Sequence, residues 1–365
     1  MPASSLLLLT LALAAPAGEE PTGPPGRAAT KVDAAFSVGP DATPAAAHKT
    51  AREAVRRALP FIERQGVRWM EQKRCASCHH STFLVWSHNA AAERGVAVDP
   101  GRLREWTEWV RDFRSLRGRD REGADPLLDH ETFRDSPDEV AQLLLGRRQD
   151  DDADAERRWV EAMASFLLEG QQPDGRWKPG GQLPMQKRPK RETAEATTMW
   201  ALLALREADP QDEEATRLLE AEERAAAWLG DDTVGESAEW GAVRLLWLRS
   251  RGDSRADATR QTLLDRQQAD GGWGWRLDDP SDALGTGIAL YALLRDGFDR
   301  DADAVRRGVA FLLRSQRDDG SWPVRGTKAV RKDRVTPTAT YWGTCWATIA
   351  LLESLADDAA PVAAD

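Results

Sequence analysis

The sequence predicts an all-α fold, a closed (α/α)6 barrel or toroid of six outer–inner helix pairs. Three observations carry that reading. A Gln-x-x-x-Gly-x-Trp pattern occurs with its Gln at positions 171, 267 and 316, so its spacings of 96 and 49 residues are close to two repeats and one. Each copy follows an amphipathic segment and precedes a more apolar one, the order of an outer helix and an inner helix. Extending that template gives six pairs, enough to close a ring without the capping repeats an open solenoid needs.

Taken in order, residues 1–17 read as a secretory signal peptide. Their apolar run Leu6 to Ala14 is too short to span a bilayer, and Ala15-Pro16-Ala17 supplies small residues for cleavage. Residues 18–49, rich in Pro, Gly, Ala and Thr, read as a disordered linker, and 356–365 as a disordered tail. The domain spans 50–355. First helices are expected near 50–74, 100–118, 155–170, 212–229, 255–267 and 301–315. Second helices are expected near 82–95, 135–148, 192–208, 237–250, 281–296 and 338–355. Asp99-Pro100 suits an N-cap and first helical position.

Each turn has a mechanism. Asp-Gly reverses the chain because Gly accepts a positive φ. Gln bonds the freed backbone groups, and Trp packs over the turn. The fourth copy is degenerate, with Ala227-Trp228-Leu229 as its remnant. These repeats, most fully Arg307 to Trp322, resemble the QW motif of the squalene–hopene cyclase and protein prenyltransferase α/α-toroid superfamily. The resemblance covers roughly 50–355 and implies the toroid, with terpenoid or lipid handling as the associated chemistry.

Net charge is −10 over 365 residues. This argues against nucleic acid or an anionic membrane as the main partner. No segment after the leader is apolar for long enough to span a membrane.

Cys75-Ala76-Ser77-Cys78-His79-His80 carries the spacing of c-type haem attachment. Cys75 and Cys78 are the expected covalent anchors of haem c, and His79 the axial ligand of its iron. His130, Met185 and His88 are the distal candidates. A Cys75–Cys78 disulfide, or a metal site with His80 or His88, are the other readings. Aligning the first unit with the last drops this segment into the slot of a QW turn, with Cys78 on Gly320 and His80 on Trp322. That places it at the end where all inner helices begin. Export fits, since bacterial haem attachment happens outside the cytoplasm. The leading expectation is an exported, periplasmic or extracellular redox protein with a cytochrome c-like electron-transfer role and a redox partner. The alternatives are a terpenoid- or lipid-handling enzyme of the squalene cyclase–prenyltransferase type, acting on a hydrophobic small molecule with the haem as its redox centre, and a binding scaffold in which a Cys75–Cys78 disulfide replaces any cofactor.

Two loops at that end are basic. Lys187, Arg188, Lys190 and Arg191 form one, and Arg325, Lys328, Arg331, Lys332 and Arg334 the other. They read either as an anion-binding mouth or as solvated loops. Glu192, Glu195, Glu239, Asp282, Thr340 and Tyr341 are expected around the mouth, and Trp86 beside the haem motif. Cys345 reads as core packing. The resemblance also implies two catalytic sets that this sequence lacks. The Asp-x-Asp-Asp acid of triterpene cyclases is absent, and the prenyltransferase Asp-x-Cys…His zinc set is broken by Gly343. The sequence therefore assigns no reaction. Asp150-Asp151-Asp152-Ala153-Asp154 and Asp278-Asp279-Pro280-Ser281-Asp282 match Asp-Asp-x-x-Asp formally, but read as helix-start carboxylates. Neither zinc nor magnesium is expected.

Overall fold

The computed structural model describes residues 44–73, 80–111, 136–148, 153–181, 183–230, 234–331 and 333–356. Twelve α-helices are described: α1 (Pro44–Lys73), α2 (Ser81–Glu93), α3 (Pro100–Arg111), α4 (Pro137–Leu145), α5 (Ala153–Glu169), α6 (Lys190–Ala208), α7 (Asp212–Leu229), α8 (Ala238–Ser250), α9 (Arg255–Asp265), α10 (Ala283–Arg295), α11 (Asp303–Ser315) and α12 (Pro337–Glu353). Odd-numbered helices are the expected outer ones and even-numbered the inner ones, with ends within a few residues of the pattern for most.

Hydrophobic patterning decides which helix goes where. On α11 burial follows one stripe, Val305, Gly308, Val309, Phe311, Leu312 and Leu313. On α10 every residue from Ala283 to Leu293 is buried, as expected of a helix that is apolar all round. The inner helices touch in the order α2, α4, α6, α8, α10, α12 and back to α2. The ring is closed, and α6 stands opposite α12.

The QW turns hold the units together. Gln171 Nε2 donates to Gly175 O in its own turn and to Ala221 O on α7, each at 2.8 Å. Gln267 repeats this with Gly271 O at 2.9 Å and Ala304 O on α11 at 2.8 Å. Gln316 repeats it with Gly320 O at 3.1 Å and Ala54 O on α1 at 2.9 Å. An Arg three residues on, Arg224, Arg307 or Arg57, donates to the Gln oxygen. Each turn therefore fastens its unit to the next outer helix, and the last fastens the end of the chain to its beginning. The Trp of each turn donates its indole N–H to a carbonyl ten residues back, at 2.7–2.8 Å. Its backbone N–H bonds Thr198, Thr286 or Thr344 on the following inner helix. The expected role of Gln and Trp holds, and the bond to the neighbouring unit extends it.

Candidate active site

The ring encloses a narrow cavity below the end where the inner helices begin. In this state of the ring its enclosed volume is about 10 Å³, so the aromatic walls nearly meet and a substrate enters only if they part. Four inner helices supply aromatic or acidic walls at helical spacing: Phe83 and Trp86 from α2, Asp138 from α4, Trp200 from α6 and Glu239 from α8. Trp342 and Trp346 of α12 complete the ring of aromatics. Trp346 is the hub, with its ring centroid 5.2 Å from Phe83, 5.3 Å from Trp86 and 5.9 Å from Trp200. Tyr291 of α10 meets it at 5.3 Å from outside the lining.

Asp138 is the residue that sequence reasoning missed. It follows Pro137 in the first turn of α4, where an acidic residue is ordinarily read as a complement to the helix dipole. Here it is buried. Thr197 Oγ1 donates to its Oδ1 at 2.7 Å, and Gly180 N–H to its Oδ2 at 3.3 Å. Burial lifts its pKa to about 6, and the negative charge of Glu239 adds to that lift. The two hydrogen bonds and Arg188 act the other way. The second cavity acid differs: Glu239 pairs with Arg188 at 2.8 Å and accepts the Trp200 indole N–H at 3.2 Å. The cavity thus holds an acid able to carry a proton near neutral pH beside an ion-paired one.

Of the six polar residues expected at the mouth, only Glu239 lines this cavity. Glu192 braces α8 by accepting from Glu236 N–H at 2.8 Å and Ser237 N–H at 3.0 Å. Glu195 accepts the Trp240 indole N–H at 2.7 Å. Asp282 caps α10, accepting from Gly285 N–H at 2.8 Å, and burial raises its pKa to about 6. Thr340 accepts from Val324 N–H, and Tyr341 donates to His80 O at 2.9 Å.

The first basic loop is largely neutralised. Lys187 pairs with Asp279 at 2.5 Å, Arg188 with Glu239, and Arg191 with Glu195 at 2.8 Å. These cations hold the mouth together and do not present a charge cluster to an anion. Asp278 to Asp282 is committed in the same way, to Lys187 and to the cap of α10. Asp154 pairs with Arg157 at the start of α5; Asp150 to Asp152 lie outside the described residues. The loop before α6 is also tied across the ring to the loop before α12. Gln186 forms an antiparallel bridge with Lys328, and Lys187 N–H donates to Thr327 O at 2.8 Å. Leu183, on the same loop, lines the cavity, so this strap lies over its opening.

Cys75, Cys78, His79 and His130 lie outside the described residues. His80, the last residue of the Cys-x-x-Cys-His-His stretch, is described: its buried ring stacks on Trp69 at 4.0 Å and on Tyr341 at 4.6 Å. His88 turns away from the cavity. Its Nδ1 lies 2.8 Å from Leu84 O, its ring meets Trp106 of α3 edge-on, and burial pushes its pKa down to about 4. It does not fit a distal role on the side where Trp86 faces the cavity. Met185 is exposed on a short 3₁₀ turn, Leu183–Met185. Trp86 packs in the aromatic ring, and Cys345 is buried, with its thiol pKa raised by that burial.

The geometry defines an α/α toroid with an acid in an aromatic cavity. Solved structures agree on the fold. A glycosyl hydrolase family 88 protein from Bacteroides vulgatus superposes with a TM-score of 0.51 at 12% identity, over 82% of this chain and 98% of that one. A type II terpene cyclase from Scytonema, in complex with geranylgeranyl dihydroxybenzoate, gives 0.50 at 12% identity, over 84% and 98%. The sequence relatives are terpene-cyclase-like. The copalyl diphosphate synthase of Streptomyces cyslabdanicus is 32% identical over 143 residues, 36% of this chain and 26% of that protein. The drimenyl diphosphate synthase of Streptantibioticus cattleyicolor is 40% identical over 81 residues, 22% and 15%. The chain therefore spans about a quarter or less of the curated relatives it matches. No protein-family profile matches it.

Proposed function

We propose that this chain is an isoprenoid-handling enzyme of the type II terpene cyclase kind, with Asp138 as its proton donor. One observation carries the reading: a buried carboxyl group with a pKa near 6 lines a cavity walled by Phe83, Trp86, Trp200, Trp342 and Trp346. The similarity to copalyl and drimenyl diphosphate synthases supports it. Asp138 stands in for the absent Asp-x-Asp-Asp acid. Its O–H gives a proton to an alkene carbon, forming a C–H bond and leaving a carbocation on the neighbouring carbon. A second alkene of the same substrate attacks that cation, closing a ring and moving the charge along the chain. Loss of a proton from the last cation to water ends the reaction, Asp138 regains a proton from solvent, and the product is an isomer of the substrate. The Trp faces stabilise the moving cation. The Thr197 hydroxyl and Gly180 N–H already point at the carboxylate that the departing proton leaves, which is preorganised stabilisation of developing charge.

The test is incubation with squalene, geranylgeraniol and geranylgeranyl diphosphate, followed by mass spectrometry for cyclic isomers. In D₂O one deuterium enters the ring system. The reading is lost if no substrate is turned over, or if Asp138→Asn retains turnover.

A second proposal rests on the Cys75-x-x-Cys78-His79 spacing alone. We propose covalent haem c at that segment, with export through residues 1–17. When bound, haem supplies one-electron transfer. The clamping of His80 between Trp69 and Tyr341 supports a fixed end for the segment. Protein matured in a haem-lyase-competent periplasm is expected to carry a haem adduct on the Cys75–Cys78 peptide; an unmodified peptide excludes it.

A further inference from the structure

The fourth unit junction is built differently from the three that carry QW turns. Aligning α9 with α11 on Gln267 and Gln316 puts Arg255 where α11 has Ala304, and Ala258 where it has Arg307. Both positions that receive a turn's Gln elsewhere are changed. No Gln-x-x-x-Gly-x-Trp lies between α7 and α8 to fill them. Arg255 and Ala258 instead line a groove of about 340 Å³, open to solvent, between α8 and α9. The groove lies beside the α9 positions that, in the other units, receive the Gln of a preceding turn.

Its walls are amphipathic. Trp240, Leu248 and Leu263 give an apolar floor, with Thr259 at the side. Arg244 lies over the Trp240 ring at 5.3 Å and the Trp247 ring at 5.8 Å. Arg255 is held by Asp253 at 2.6 Å. Arg266 is different. It is half-buried, it donates to Gly235 O at 2.9 Å, and among the described residues no carboxylate lies within ion-pair distance. Burial lowers its pKa. The charge of Glu192 partly opposes that effect from a distance, but a guanidinium drawn partly out of water with no carboxylate in contact still costs stability, and a bound anion offsets part of that cost.

We propose that this groove binds an amphiphilic anion, a long-chain alkyl or isoprenyl phosphate or carboxylate. Its chain lies over Trp240, Leu248 and Leu263, and its head pairs with Arg266. The site is separate from the Asp138 cavity and stands whether or not that cavity is catalytic.

Titration of the full chain with dodecyl phosphate, dodecanol and inorganic phosphate, followed by calorimetry, tests it. Dodecyl phosphate should bind saturably and at least about tenfold tighter than either control, the size of a charge-assisted contact. Arg266→Gln should erase the preference over dodecanol, and Thr259→Trp should fill the groove and abolish binding. Equal affinity for dodecanol, or affinity for dodecyl phosphate unchanged in both variants, overturns the proposal. Dodecanoate in place of dodecyl phosphate separates carboxylate from phosphate recognition. If one variant fails to fold, the other decides.

Discussion

Asp138 and Asp282 show how one residue type takes two roles from its surroundings. Burial raises both to about pKa 6. Because folding raises these pKa values, each acid favours the native state while protonated. That contribution is full below about pH 3.8 and is lost as pH rises through about 6. Asp138→Asn removes the cost of ionising a buried group. Relative to the wild type it should gain about 2–3 kcal/mol between pH 4 and pH 7.5, read from urea unfolding at the two pH values. An unchanged difference means that Asp138 is not desolvated as described. Turnover by the cavity should fall as pH rises above about 6, because the donor must hold its proton. Asp282→Asn keeps a good N-cap on α10 and should show the same pH-dependent gain of about 2–3 kcal/mol relative to the wild type between pH 4 and pH 7.5; a large loss at pH 7 would show that its charge is needed. Asp138 was not legible in the sequence. A carboxylate after Pro at a helix start has an ordinary explanation, and only the approach of α6, α8 and α12 makes it a cavity acid. The expected mouth residues Glu192, Glu195 and Asp282 were placed at the right end. Their side chains point along the rim to backbone and indole N–H groups, which sequence position does not reveal.

At the scale of the element, the QW turn is both a chain reversal and a joint. Gly320 has φ +85, and a Cβ there would sit 2.0 Å from Arg57 O. Gly320→Ala is therefore expected to cost about 3 kcal/mol or more, from left-handed strain plus separation of α1 from the turn. Gln316→Ala removes its bonds to Ala54, Gly320 and Arg57 and should cost about 2–3 kcal/mol in chemical denaturation. If it costs no more than an exposed Gln, the closing joint is not held by this side chain. These turns were the most legible part of the sequence, because a positive φ needs Gly and the buried seat needs Trp. The partner of each Gln was not legible, since Ala54 lies 262 residues from Gln316.

For the molecule as a whole, closure and covering are the decisive facts. Contact of α12 with α2 closes the ring, and the Gln186–Lys328 bridge ties loops from opposite units over the cavity. Facing residues of an antiparallel bridge stand at a separation that suits a disulfide. A Gln186→Cys/Lys328→Cys pair, oxidised, should raise stability by about 4 kcal/mol through its long closed loop. It should also block substrate access, with turnover returning on reduction. Undiminished turnover in the oxidised form would mean that substrate reaches the cavity by another way.

The sequence by itself determined the toroid, its helix pairs and the end at which the cavity opens. Helical period, Gly turns and buried Trp are local signals, and their repetition counts the units. It also supplied the Cys75-x-x-Cys78-His79 spacing on which the proposal of covalent haem rests. The tertiary structure decided which acid faces the aromatics and which cations are neutralised. Those are properties of distance and burial between segments far apart in the chain. A buried charge takes its character from whatever the fold brings to it.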